Sequence, residues 1–223
     1  MPLRRVRFHW DRGRIPGAVP GLVISDVGRR YHADVDPRTL SHTIGFDDAP
    51  FPRAHRGSVL VVGTVFANLR LEGVLSCAVR RDGDDATDAL AAAVAGSKFA
   101  RQTRLILLQG IALAGFNVVD IHRLAEVLSM AVLVVMRRLP RLDKVRKALL
   151  ERTPGGASKW ELIQAAGAPE PVAGVYMQRA GIAALPAGQR IAALQANGRI
   201  PEPLRVAHLV AGGVTTGQSR GRA

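Results

Sequence analysis

The chain has 223 residues, 48% of them hydrophobic and 22% charged, which suffices for one sizeable core and reads as an ordinary globular protein. Lys and Arg number 31 against 18 Asp and Glu, for a net charge of +13, and only Lys98, Lys144, Lys147 and Lys159 are lysines. The charge is therefore almost wholly guanidinium, whose planar fork suits phosphate, so a nucleic acid is the expected partner; arginine richness inherited from base composition is the plain alternative.

In chain order, residues 1 to 40 are broken by Gly13, Pro16, Gly17, Pro20, Gly21 and Pro37 and read as an irregular basic N-terminal arm, with one short strand near 22 to 26. Residues 41 to 223 form the principal domain. Three β-like segments come first, at 43–47, 58–66 and 70–79, and their short links imply antiparallel pairing. The alanine-rich stretch 86–99 then reads as a helix with Asp85 as its N-cap. A strand at 104–109, a helix near 117–129, a strand at 131–136 and a helix near 142–151 follow, and this alternation implies parallel crossovers. A helix around 158–166, a strand at 172–178 and helices near 187–196 and 203–214 complete the chain.

Cys77 is the single cysteine, which excludes an intrachain disulfide and a cysteine-based zinc cluster and suits a reducing interior. The longest apolar run, near 131–136, is too short to cross a bilayer, so the expected location is the cytoplasm, away from membranes.

Three antiparallel strands followed by β-α-β alternation predict an α/β fold with a ribonuclease H-like mixed sheet and helices on both faces. In that order the first strand lies beside and parallel to the fourth, so the ends of the two strands, at Asp47 and Gln109, face one cleft. Carboxylates there would suit Mg²⁺ or Mn²⁺, hard cations that take oxygen ligands and keep waters. Asp47 is the first candidate. Side chains alternate along a strand, so Asp48 is expected to point away and to cap the turn at Pro50. Asp85 is the candidate second ligand and Asp88 its runner-up, although acids at a helix start are also explained by the macrodipole. In the stretch IPEPLRVAHL (200–209) Arg205 and His208 are polar residues at i, i+3 spacing on a largely apolar helix. On spacing alone His208 is either a satisfied core histidine or a functional one. Gly110 and Gly115 bracket a loop after the fourth strand where backbone could approach a base; Asn117 or Asp120 could assist by hydrogen bonding or capping.

The motifs GFDD at 45–48, LLQG at 107–110 with GFN at 115–117, VVMRR at 134–138 and IPEPLRVAHL resemble, in the same order, those of the endonuclease V superfamily. The likeness spans roughly residues 40 to 222 and is nearest to its group of smaller homologues, some called deoxyuridine endonucleases. The resemblance implies a divalent-metal-dependent nuclease that cuts DNA or RNA near a deaminated base. It matches Asp47 to the catalytic aspartate of the first strand and His208 to a histidine near the active centre. It puts Arg137 where the family has an active-site lysine. The chain departs from endonuclease V in two places. Gln109 stands where the family closes its fourth strand with an aspartate, and LEGVLS (71–76) replaces the tyrosine-bearing wedge.

The expectation is an endonuclease of deaminated DNA, with Asp47, Gln109, Arg137 and His208 catalytic. Asp47, Asp85 and His208 would hold the metal, while Gly110, Gly115, Asn117 and Arg205 would touch nucleic acid. The alternative is a nucleic-acid-binding homologue whose chemistry is weakened by Gln109.

Overall fold

The computed structural model describes residues 40–219; apart from Leu40, the arm expected over residues 1–40 and its strand near 22–26 lie outside them. Seven strands form one mixed sheet: β1 (His42–Asp48), β2 (Ser58–Ala67), β3 (Arg70–Arg80), β4 (Leu105–Gln109), β7 (Ala131–Met136), β8 (Glu170–Val172) and β9 (Val175–Ala180). A separate hairpin pairs β5 (Ala112–Leu113) with β6 (Asn117–Val118). The helices are α1 (Ala86–Ala95), α2 (Ile121–Leu128), α3 (Leu142–Arg152), α4 (Gly156–Ala165), α5 (Ala184–Ala193) and α6 (Glu202–Thr216).

The order across the large sheet is β3-β2-β1-β4-β7-β9-β8. β1 is antiparallel to β2 and parallel to β4, and β4 is parallel to β7, which is the ribonuclease H-like arrangement with the first strand central. β9 runs antiparallel to β7, because two helices, α3 and α4, intervene and return the chain to the other end of the sheet.

Both faces of the central strands are buried, so these strands are apolar almost without interruption, as parallel strands covered by helices must be. Alternation sends Ile44, Phe46, Ile106, Leu108, Val132 and Val134 to one face, against Leu90 and Val94 of α1 and Leu124 of α2. Leu105, Leu107, Leu133 and Val135 go to the other, against Ile191 of α5 and Leu204 of α6.

α6 is the helix that matters most for the site. It lies so close to β1 that a Cβ on Gly45 would sit 2.5 Å from the Pro203 carbonyl carbon and 2.7 Å from the Leu204 nitrogen. Glycine is required there for close approach. The Thr64 hydroxyl of β2 donates to the Pro203 carbonyl at 2.6 Å and ties down the first turn of the helix.

Several boundaries differ from those the sequence predicts. The expected 117–129 helix begins only at Ile121, because residues 112–118 pair as β5 and β6, and Asp120 caps α2 by accepting from the His122 and Arg123 N–H groups. The strand expected at 172–178 is a hairpin that turns through Ala173 (φ 46°) and Gly174 (φ 78°), two successive left-handed residues suited to the twist of a tight β-turn. Asp85 does not cap α1 through its side chain; the Ala86 N–H is taken instead by the Asn117 amide oxygen.

Candidate active site

Pairing between β1 and β4 runs as far as Phe46 opposite Leu108. Asp47 and Gln109 each come next, so they stand side by side at the carboxyl ends of the two strands, about 4.8 Å apart from strand to strand. Open α/β sheets place their ligand sites at such ends.

Contact between α6 and β1 then carries an imidazole to Asp47. Leu204 rests against Gly45, His208 reaches Asp47, and Ala211 packs with Ala49. Steps of two residues along a strand, about 6.6 Å, match steps of three to four along a helix, about 4.5–6 Å, so the two elements remain in register over three contacts. His208 Nδ1 lies 2.8 Å from Asp47 Oδ2. The other Asp47 oxygen accepts the Asp48 backbone N–H at 3.0 Å.

Asp47 is 5% exposed, and its carboxyl is pushed up to about 6, first by burial and then by the neighbouring Asp48 charge; the hydrogen bond and charge of His208 pull the other way. Beside it, Gln109 Oε1 is buried with no hydrogen-bond partner. Leaving a polar atom so costs about 1–3 kcal/mol, a penalty that native proteins rarely retain without use. A carboxylate deficient in positive charge and an amide oxygen without a donor therefore converge on the α6 side of the sheet edge.

Asp48 turns to the opposite face, as alternation requires, but it does not cap the turn at Pro50. Its Oδ2 accepts the Ala114 N–H at 2.9 Å, from the loop that follows β4. Burial raises its pKa, and the Ala114 N–H works against that rise. Asp82 repeats the device: its Oδ1 accepts the Phe116 N–H at 2.9 Å, and its own N–H donates to the Ala114 carbonyl. Two carboxylates thus pin one loop.

The central expectation of a site drawing on Asp47, Gln109 and His208 agrees with these positions, whereas the metal set Asp47, Asp85 and His208 is not assembled. Among the described residues no three His, Cys, Asp or Glu side chains gather as a metal cluster. Asp85 is held on the other face, where Oδ1 accepts the Arg80 N–H at 3.0 Å and the Asn117 Nδ2 at 2.6 Å and Oδ2 pairs with the Arg80 guanidinium. Asp88, the runner-up, forms an exposed ion pair with Arg123.

Comparison with known proteins adds the lineage. The endonuclease dU family model matches residues 40–215. The chain belongs to the endonuclease dU family. A UPF0215 protein of Deinococcus radiodurans is 55% identical over 183 residues, covering 82% of this chain and 93% of its own length. Another, from Methanothermobacter thermautotrophicus, is 42% identical over 184 residues, covering 81% and 90%. Among solved structures, a protein of unknown function from Archaeoglobus fulgidus superposes with a TM-score of 0.73 at 34% identity, covering 78% of this chain and 98% of that one. Endonuclease V of Bacillus subtilis superposes with a TM-score of 0.53 at 13% identity, covering 79% and 81%, which establishes the shared fold.

Within this endonuclease dU frame, two expected nucleic-acid contacts are corrected. Asn117 is fully buried; its amide takes the Ala86 N–H and donates to the Arg80 carbonyl and to Asp85, so it joins β3, α1 and the β5–β6 hairpin. Arg205 spends its fork on Glu202, at 2.9 and 2.8 Å, and that pair holds the Glu202 carboxyl below its usual range. Gly110 and Gly115 are both left-handed, with φ of 86° and 91°. At Gly115 a side chain would collide with the Asp82 carboxylate, while Gly110 has open space around it. Arg137 follows β7 directly and is exposed. The role of Asp48 as loop anchor is not visible in the sequence. Its only signal there is adjacency to Asp47, which strand alternation converts into two opposite faces.

Proposed function

We propose that this chain is a divalent-metal-dependent endonuclease that cuts nucleic acid, DNA ahead of RNA, near a deaminated base such as deoxyuridine or deoxyinosine. The observation that carries the proposal is the buried Asp47 carboxylate, bonded to His208 and set beside the partnerless oxygen of Gln109. Family membership supports the nuclease class, and the net charge of +13 suits a polyanionic substrate.

The donors fit a hard cation. Asp47 and Gln109 offer oxygen only, and a positive charge would relieve both the raised carboxyl and the unsatisfied amide. One carboxylate and one amide are a sparse set, which suits Mg²⁺ or Mn²⁺ because these ions commonly complete their shell with water and substrate phosphate. When bound, such an ion acidifies its water and draws charge from the phosphate. With its Nδ1 proton directed at Asp47, His208 leaves Nε2 free to accept a proton from the attacking water. Arg137 supplies a fixed positive charge to the phosphate of the strand.

The test uses oligonucleotides that carry one deoxyuridine, deoxyinosine or xanthine, incubated with the protein in Mg²⁺, Mn²⁺ or EDTA, with every cut mapped. Lesion-dependent and metal-dependent nicking is expected. The neutral Gln109 favours a second reading, a nucleic-acid-binding homologue with weakened chemistry, and lesion binding without nicking in either metal is the result that selects it.

A further inference from the structure

Away from Asp47, a cavity of about 360 Å³ opens beside the end of β7, lined by Arg137, Arg138, Arg199, Tyr176 and the β8–β9 turn. No carboxylate among the described residues lines it. Its three arginines form no ion pair among the described residues, whereas Arg70, Arg80, Arg81, Arg123, Arg179 and Arg205 each hold an acid. The tight turn at Gly174 shapes one wall: a Cβ there would lie 3.6 Å from Arg199 Cδ. Chain charge is concentrated nearby as well, since residues 137–152 carry seven basic residues against two acidic.

Three uncompensated guanidiniums around one cavity form a receptor for an anion, and forked donors match phosphate oxygens in pairs. Location decides which anion. β1, β4, β7 and β9 are successive neighbours, and the cavity sits on the edge of the sheet that also carries Asp47 and Gln109. It therefore lies two to three strand spacings from Asp47, about 10–14 Å. At roughly 3.4 Å of axis per phosphate, that distance is spanned by about three or four phosphates of one strand.

We propose that this cavity is a phosphate clamp, in which Arg138 and Arg199, with Arg137, hold a phosphodiester of the substrate strand about three or four phosphates from the bond that is cut. The clamp rests on the nuclease reading for its substrate. It extends that reading from the cut bond to the strand beyond it and gives the enzyme a fixed register along the chain.

The experiment reads binding, so that it does not depend on turnover. Anisotropy of a labelled single-stranded oligonucleotide with one deoxyuridine is followed against salt for Asp47→Asn protein, with and without Arg138→Ala plus Arg199→Ala. Each lost phosphate contact lowers the slope of log affinity against log salt by about 0.7, so the pair should lower it by about 1.4. Lys98→Ala plus Arg101→Ala, near the opposite end of β4, should leave the slope unchanged. Neutral methylphosphonate linkages placed singly along the strand should weaken binding most at the third or fourth position from the cut, and this position effect should vanish in the Arg138/Arg199 variant. An equal slope loss in both doubles overturns the clamp in favour of diffuse attraction, and no loss in the Arg138/Arg199 double overturns it outright. Displacement of the effect by a free mononucleotide, with strand binding unchanged, makes the cavity an effector site instead and likewise overturns it. A parent that binds as expected but never nicks sinks the nuclease reading alone; a parent that nicks while the slopes stay flat sinks the clamp alone.

Discussion

The two faces of the β1 end treat adjacent carboxylates in opposite ways. On the loop face Asp48 receives a backbone N–H from Ala114, and Asp82 nearby receives another from Phe116, so these acids hold structure in place. On the α6 face Asp47 is buried against an imidazole, raised to about 6, and set beside an amide oxygen with nothing to bond. A satisfied carboxylate is accounted for by the fold, whereas an unsatisfied pair next to a histidine stores a cost that only a ligand relieves. The contrast separates anchor from chemistry within two residues.

The largest expected effect comes from removing the acid on the α6 face. Asp47→Ala should slow nicking by about 10³-fold or more while oligonucleotide affinity survives, measured by single-turnover gel kinetics beside anisotropy. His208→Ala should cost about 10²–10⁴-fold in the same assay if its imidazole moves a proton. Gly45→Val tests the register that delivers His208: the new side chain collides with α6, and thermal unfolding should show a loss of about 1–3 kcal/mol together with loss of nicking.

A smaller effect separates stability from function. Asp47 ionises at about 6 in the folded chain, against 3.8 for an unperturbed aspartate, so the folded state binds more protons between those values. Stability from this group is therefore full below about pH 4 and lost as pH rises through about 6. Asp47→Asn removes that loss, and its melting temperature relative to the parent should climb between pH 4 and pH 7 even as nicking disappears. The mildest change, Gln109→Asp, restores a charged oxygen and should lower the Mg²⁺ concentration for half-maximal nicking, read from a metal titration of the rate.

Much of the frame is legible in the residues. Short links between the first three strands, followed by alternation, specify the sheet order, and the GFDD and IPEPLRVAHL stretches point to the contact between Asp47 and His208. Asp85 is not where a metal ligand would be, because acids before a helix look alike whether they cap, pair or coordinate; only the fold shows Arg80 and Asn117 already holding it. Arg205 deceives in a similar way, since helical spacing places it near His208 but does not reveal that Glu202, one turn earlier, has a better claim on its fork. The cavity of Arg138 and Arg199 is beyond reach of sequence altogether, because it joins residues more than sixty positions apart through a hairpin whose pattern reads as one strand.

The most direct test compares Asp47→Ala with Asp48→Ala on one deoxyuridine oligonucleotide in Mg²⁺, with rates corrected for the folded fraction. The account predicts that the first is inactive at native stability, while the second is less stable and retains nicking within about tenfold of the parent once folded. Equal losses in both variants, or activity that persists without Asp47, would contradict it.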